Sequence, residues 1–346
     1  MFFFYLIAFS LLFVGIKVSK RGTFHAEFTS KGQCNAIKGL FILMVFISHS
    51  MVEIRDCGYG FDGIADSFGL RIRNEFMQLI VVMFLFYSGF GVMESITLKK
   101  EEYLSLFPRR RLLTVLLNFD IAVVLYLILD LVLGIAVDGK QVFLSLFAWE
   151  SLGNSNWYIF VILFCYLVTF IGFVMFKKNA QLALGFVAFM VFAGMVGLSY
   201  CKPFWWYDTM LCYPFGMLLS MHQERLVAIF KKNYWPILIS CVAVFMVLHM
   251  ANLPGLHGLT YNVKSMVFAF AIVLLTMKVK IGNWFLYWAG VSLFPLFIYQ
   301  RIPMIAIREL AGEIWICNNP YLFVSLCFGI TVAITISYKY WQVKFK

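Results

Sequence analysis

Runs of about 15–23 consecutive apolar residues recur from one end of the chain to the other. A stretch of roughly 20 such residues is long enough to cross the hydrocarbon core of a bilayer as a helix. The runs are continuous and do not alternate apolar with polar residues, so they lack the pattern of a membrane β-barrel. The chain is therefore predicted to be an all-α polytopic membrane protein.

Composition agrees with this prediction and limits the number of helices. Apolar residues make up 62% of the 346 residues and charged residues only 13%, whereas soluble domains average about 45–50% and 25%. At roughly 20 residues per crossing, the chain accommodates about eleven helices with short loops. We predict them at about 2–16, 36–52, 76–97, 112–134, 156–176, 181–200, 205–221, 234–252, 261–277, 283–300 and 320–338.

The positive charges fall unevenly on the two sides of these predicted helices. Of the 28 lysines and arginines, 20 lie in the set of alternate loops that begins with 17–38, and 8 lie in the other set. Cytoplasmic loops carry the excess of Lys and Arg, so the N-terminus is predicted outside and the C-terminus inside. This topology accounts for the net charge of +11, and no nucleic-acid partner is expected.

Polar groups inside predicted membrane helices are costly, and they mark candidate sites. His49 lies near the outer end of the second helix, and Lys38 stands eleven residues before it. Eleven residues make about three turns and roughly 16 Å of rise, so the two share one helix face. A lone membrane histidine is often a helix–helix hydrogen bonder or an interfacial residue. A neutral imidazole is also a good general base near neutral pH.

Two further features have both a structural and a functional interpretation. Arg109, Arg110 and Arg111 form a basic run at the inner mouth of the fourth helix. The run is first a topology signal and second a candidate phosphate site, since guanidinium groups match phosphate oxygens. Asp120, inside that helix, is equally explained as a site residue or as the partner of Arg109 or Arg111. Metal-ligand spacings, a P-loop, GxSxG and a dinucleotide fingerprint are all absent from the sequence.

Several segments of the chain, taken in order, resemble those of a known family, the integral-membrane acyltransferase-3 family of bacterial O-acyltransferases of surface glycans. The resemblance runs from about residue 33 to 338. Its segments are NAIKGLFILMVFISHS with Lys38 and His49, FLFYSGFGVMES with Ser88, FPRRRLLTVLLNF, NSNWYIFVILFCYL with Trp157 and Tyr158, and GVSLFPLFIYQR with Ser292 and Tyr299. The chain departs from the family pattern in its run of three arginines, where the family has a spaced pair. It also has Gln300 and Arg301 where the family often has a histidine.

The resemblance implies a fold and an activity. We expect an N-terminal helix and basic linker at 1–32 and an acyltransferase-like membrane domain at 33–346. The implied reaction moves an acyl group, expected to be acetyl, from cytoplasmic acyl-CoA to a hydroxyl of a surface or lipid-linked glycan. The expected location is the inner membrane of a bacterial cell, among membrane lipids. No metal is expected.

Roles for individual residues follow from this implied reaction. His49 is expected to act as the base or to carry the acyl group transiently, with Lys38 beside the donor, and Arg109, Arg110 and Arg111 are expected to hold the phosphates of acetyl-CoA. Outer-face aromatics such as Trp157, Trp205 and Trp206 are expected to bind the acceptor. The predicted pocket residues are Ser88, Asp120, Asn156, Trp157, Tyr158, Ser292 and Tyr299.

The sequence is also compatible with a second function, transport without acyl transfer. A transporter or flippase that moves a glycan or amphiphile without forming a bond would also use buried charges and helices broken by proline, such as those with Pro214 and Pro295. Transporters often show internal symmetry, and we find none in the sequence.

Overall fold

The protein is almost entirely helical. A computed structural model describes residues 1–251 and 257–344; the last residue of the predicted helix 234–252 and the last two of the predicted domain 33–346 lie outside that description. The described helices are α1 (Phe2–Phe13), α2 (Lys31–Asp56), α3 (Ile64–Phe76), α4 (Leu79–Phe107), α5 (Thr114–Leu133), α6 (Gly139–Ser145), α7 (Trp157–Met175), α8 (Ala180–Ser199), α9 (Cys212–Met221), α10 (Gln223–Lys232), α11 (Tyr234–Met250), α12 (His257–Lys278), α13 (Trp284–Val291), α14 (Leu293–Tyr299), α15 (Arg301–Ala311), α16 (Glu313–Asn318) and α17 (Pro320–Lys344).

Several of these helices are long and apolar enough to span a bilayer. By length and composition, six helical segments within the described residues qualify, and eight do when each of two sharply bent pairs is taken as one crossing. The qualifying segment Ile64–Leu133 contains both α4 and α5, and α1 and α9 are shorter apolar helices. These segments agree with a polytopic membrane protein, while the count of eleven stays a prediction.

Contacts between loops group them into two faces. Each contact joins two segments that were predicted on the same side of the membrane. On the predicted inner face they are Lys280 with Glu27 at 2.8 Å and Gln223 with Thr29 at 3.0 Å. On the predicted outer face they are His249 with Glu75 at 2.7 Å, Lys202 with Glu150 at 3.3 Å and Cys317 with the Cys57 carbonyl at 3.0 Å. The observed loop contacts therefore agree with the predicted alternation of loops between two faces. Which face is cytoplasmic remains a prediction.

Two close helix crossings organise the interior, and each depends on a glycine. A Cβ on Gly39 of α2 would lie 1.8 Å from the Leu286 carbonyl oxygen of α13. A Cβ on Gly89 of α4 would lie 2.0 Å from the Tyr213 carbonyl oxygen of α9. Small residues allow membrane helices to approach this closely. Gly89 follows Ser88 directly, so the crossing with α9 fixes the position of Ser88.

The structure corrects two predicted helices. The helix predicted at 205–221 begins only at Cys212, because a 3₁₀ turn and a loop precede it. Asn262 stabilises that loop, since its side chain accepts from the Leu211 amide at 2.9 Å and donates to the Tyr207 carbonyl at 2.8 Å. The helix predicted at 283–300 breaks at Ser292, and the axes on either side meet at 69°. The Ser292 hydroxyl donates to the Trp288 carbonyl at 2.7 Å across the last turn before the break.

The segment before α2 is paired with the end of α12, on the predicted inner face. Its strand β1 (Lys17–Val18) pairs antiparallel with β2 (Val279–Lys280). The Lys280 ammonium, hydrogen-bonded to Glu27, lowers the pKa of that exposed carboxyl below its usual range. Thus the predicted linker packs against the end of α12 as part of one folded unit.

Candidate donor cavity and outer histidine

A cavity of about 470 Å³ opens among α2, α4 and the basic run that follows α4. It brings together several of the predicted site residues, namely Lys38, Ser88, Arg110 and Arg111. Along α4 the lining extends from Lys99 to Phe84, which is roughly 22 Å of helix rise. An elongated molecule entering at the predicted inner face therefore passes Lys38 and continues toward the middle of the membrane.

The lining of the cavity is strongly cationic. Five positive side chains and a single carboxylate, that of Glu94, contribute to it within the described residues; the cations are Lys31, Lys38, Lys99, Arg110 and Arg111. In surroundings of low dielectric, such an excess of positive charge favours a ligand with several negative charges. Phosphate groups fit this requirement and the geometry of the guanidinium donors.

The three consecutive arginines have different surroundings. They lie in a π-helical turn, Pro108–Leu113, between α4 and α5. Arg111 donates from Nε to the Tyr103 hydroxyl at 2.9 Å, and its guanidinium lies 5.9 Å from the ring centres of Tyr103 and Tyr166. Arg110 is exposed and lines the cavity, while Arg109 is exposed and does not line it. Arg111 is therefore the best-anchored cation of the run.

Ser88 connects the cavity to a group of tyrosines. Its hydroxyl lies 3.2 Å from the Tyr166 hydroxyl. The ring of Tyr158 packs edge-on against Phe84 and Phe297. Phe84 also lines the cavity together with Ser88, so Tyr158 packs directly behind the cavity lining.

His49 lies on the same helix as Lys38 but beyond the cavity lining. The side chain is half-buried, and its Nδ1 is buried without a hydrogen-bond partner among the described residues. Arg73 Nε donates to the carbonyl of Ser48, the residue before His49, at 3.4 Å. Glu53, one turn further along α2 and only 1% exposed, binds Arg301 at 2.6 Å and Arg308 at 2.9 Å.

The sequence did not indicate this ion cluster. The predicted helix 36–52 ends one residue before Glu53, whereas α2 continues to Asp56. The signal that would have found it is the spacing of four residues from His49, which places both side chains on one helix face.

The remaining predicted site residues lie elsewhere. Asn156 precedes α7 and donates to the carbonyls of Ala148 and Glu150, both at 3.0 Å, so its amide holds a loop. Asp120 forms no ion pair with Arg109 or Arg111 within the described residues, and its Oδ1 is buried without a partner there. Ser292 lies at the break between α13 and α14. The ring of Tyr299 packs on that of Tyr338, and Trp157 is half-buried beside Tyr158.

The outer-face tryptophans differ in accessibility. Trp205 is 38% exposed, whereas Trp206 is buried and lies with Trp149 around the Lys202 ammonium. Of the two, Trp205 is the one that a molecule arriving at this face can reach.

Two features of different chemistry thus lie along α2. A cationic cavity whose charge suits a polyanion lies at one end, and nearer the other end stands an imidazole whose Nδ1 has no hydrogen-bond partner among the described residues. Comparison with known proteins adds one finding: a family model described as an acyltransferase domain matches residues 33–339. No curated protein and no solved structure gives a match.

Proposed function

Since the chain belongs to the acyltransferase-3 family, and is thus a membrane acyltransferase, we propose that it takes an acyl group from acyl-CoA and transfers it to a hydroxyl group on the outer side of the membrane. The proposed acyl group is acetyl, and the proposed acceptor is a surface or lipid-linked glycan. The proposed location is the inner membrane of a bacterial cell.

The observation that carries this proposal is the cationic cavity on the face of α2 that also bears His49. Coenzyme A combines several phosphate charges with a long, flexible arm that ends in the thioester. With its phosphates beside Arg110, Arg111 and Lys99, the arm would extend past Lys38 and Ser88 along the cavity. The direction of the cavity then leads the thioester toward His49.

The proposed chemistry needs one base. His49 accepts the proton of the acceptor hydroxyl. At the same time the hydroxyl oxygen attacks the thioester carbonyl carbon and forms the new C–O bond. The tetrahedral intermediate collapses as the C–S bond breaks, and the leaving thiolate of coenzyme A takes the proton from the imidazolium. In a two-step variant, the imidazole nitrogen attacks the thioester carbonyl carbon, the C–S bond breaks, and the leaving thiolate takes the N–H proton of the acyl-imidazolium. The acceptor hydroxyl then attacks the acyl-imidazole, the C–N bond breaks, and the released imidazole takes the hydroxyl proton.

The test compares His49→Ala with His257→Ala, an exposed histidine at the start of α12. Transfer of radiolabelled acetyl groups is measured per folded molecule in reconstituted vesicles. Loss of the base should lower the transfer rate by about 10²–10⁴-fold, while acetyl-CoA binding and the His257→Ala rate stay unchanged. Wild-type turnover in folded His49→Ala protein would exclude the catalytic role.

Lys38 provides the reverse case. Because Lys38 lines the cavity and lies roughly 16 Å along the helix from His49, Lys38→Ala should weaken donor binding more than it slows the chemical step. Mass spectrometry of surface glycans from cells with and without the gene then identifies the acyl group and the acceptor.

A further inference from the structure

Arginines are concentrated around His49 on the face of the protein where they are least expected. Outer loops are normally poor in Lys and Arg, and the predicted outer set holds only 8 of the 28. Three of these 8 lie close to this part of α2: Arg301 and Arg308 bind Glu53, and Arg73 donates to the carbonyl of Ser48, the residue before His49. A topology signal does not explain arginines at this place.

The charges of this cluster do not balance. Glu53 is shared by Arg301 and Arg308, and Arg308 Nε also pairs with Glu309 at 3.2 Å. Together with Arg73, three guanidinium groups therefore stand against two carboxylates. Arg73 forms no salt bridge among the described residues; it donates to the Ser48 carbonyl at 3.4 Å and to the Asn74 side chain at 3.3 Å. Asp56 at the end of α2 pairs with Arg55 at 3.8 Å. The half-buried surroundings of His49 therefore carry an excess of positive charge.

Several polar atoms of the cluster are also unsatisfied. Besides His49 Nδ1, the buried Arg301 Nε and Gln300 Oε1 have no hydrogen-bond partner within the described part of the chain. Buried polar atoms are nearly always paired, and an orphan calls for a specific explanation. The unpaired Nε of Arg301 and the unpaired Nδ1 of His49 would be completed by a ligand that brings both negative charge and hydroxyl groups.

We propose that Arg73 and Arg301 form an anion-recognition site beside His49, which selects an acceptor carrying a carboxylate or a phosphate close to the hydroxyl that is acylated. This inference rests on the proposed function, because it assigns a substrate class to the same site. Arg301 is held in place by Glu53 through Nη2 and presents Nε to the ligand, and Arg73 supplies the second cation. A neutral sugar gains neither ion pair.

The test uses carbethoxylation of His49 by diethyl pyrocarbonate, followed by mass spectrometry of the purified protein. This readout needs no acyl donor. The three probes are methyl glucuronide, glucose 1-phosphate and the neutral methyl glucoside. At least one anionic probe should slow modification of His49 about tenfold, and the glucoside should not. The difference between the two anions tells carboxylate from phosphate.

Two variants make the test specific. Arg73→Gln should abolish the protection, whereas Arg71→Gln, which changes an exposed arginine of the same helix α3, should retain it. The unfolding midpoint with each probe is a second measurement that does not depend on the reactivity of His49, and an anionic probe should raise it. Equal protection by the neutral sugar, or no effect of either anion on both readouts, overturns the proposal.

Failure of this inference and failure of the proposed function are distinguishable. If acetyl transfer depends on His49 but anions show no preference, only the recognition site is wrong. If anions protect His49 and no acetyl transfer occurs with any acceptor, the site stands and the assigned chemistry is wrong.

Discussion

Replacing Arg111 by Gln should weaken acetyl-CoA binding, and the same change at Arg109 should not. Both residues belong to one basic run and carry the same charge, but only Arg111 lines the cavity. Its Nε is engaged by Tyr103, which fixes the guanidinium plane and leaves the two Nη groups for an anion. Arg109 is exposed at the surface of the same turn. The pair thus tests the cavity against the general charge of the loop.

The expected magnitude follows from the bonds that are lost. A hydrogen bond to a charged group contributes about 1.5–3 kcal/mol, which corresponds to a rise in Kd of roughly 10- to 150-fold. Arg111→Lys keeps the charge but loses the fork and the bond to Tyr103, so its Kd should fall between those of wild type and Arg111→Gln.

The assay is equilibrium binding of radiolabelled acetyl-CoA to the purified protein, with thermal unfolding measured to confirm that each variant is folded. Equal weakening by Arg109→Gln and Arg111→Gln would mean that the loop acts only through its overall charge. An unchanged Kd in folded Arg111→Gln protein would remove the cavity as the donor site.

Two further predictions concern the fold. Gly89→Ala places a Cβ 2.0 Å from a backbone oxygen of α9, so it should sharply lower the unfolding midpoint and the yield. In the control Gly185→Ala the added Cβ meets nothing within 4 Å, so both quantities should stay near wild type. Equal midpoints for the two variants would contradict the close crossing. Cysteines introduced at 302–318 should react with an impermeant thiol reagent outside intact cells, and those at 100–110 should not. The reason is that the loops rich in Lys and Arg are expected on the inner side. Labelling of 100–110 from outside would contradict the predicted orientation.

Long apolar helices were predictable because their signal is local. Helix α7 was expected at 156–176 and spans Trp157–Met175, since a continuous apolar run needs no tertiary information. The short helices α3 and α15 were not predicted. They are amphipathic and lie among polar residues, so neither forms a run that stands out from the loops. Arg301 and Arg308 both lie on α15, and the ion cluster went unseen with it.

The site was predictable only where one helix carries it. Lys38 and His49 share a face of α2 by helical periodicity alone, and this spacing needs no knowledge of other helices. The different surroundings of Arg109 and Arg111 depend on the π-helical turn and on Tyr103 and Tyr166, which the sequence does not place beside them. Asn156 was chosen as a polar residue at a helix start, and its amide is occupied by loop carbonyls instead.

The mouth of the cavity lies partly outside the family match, whereas its interior lies within it. Thr29 and Lys31 border the cavity, and both precede residue 33, where the family match begins. The side-chain amide of Gln223 donates a hydrogen bond to the Thr29 hydroxyl at 3.0 Å, on the predicted inner face. Lys38, Ser88 and Arg111, by contrast, lie within the matched region. We therefore expect substitutions at Thr29 or Lys31 to change entry into the cavity while leaving the interior lining by Lys38, Ser88 and Arg111 as it is.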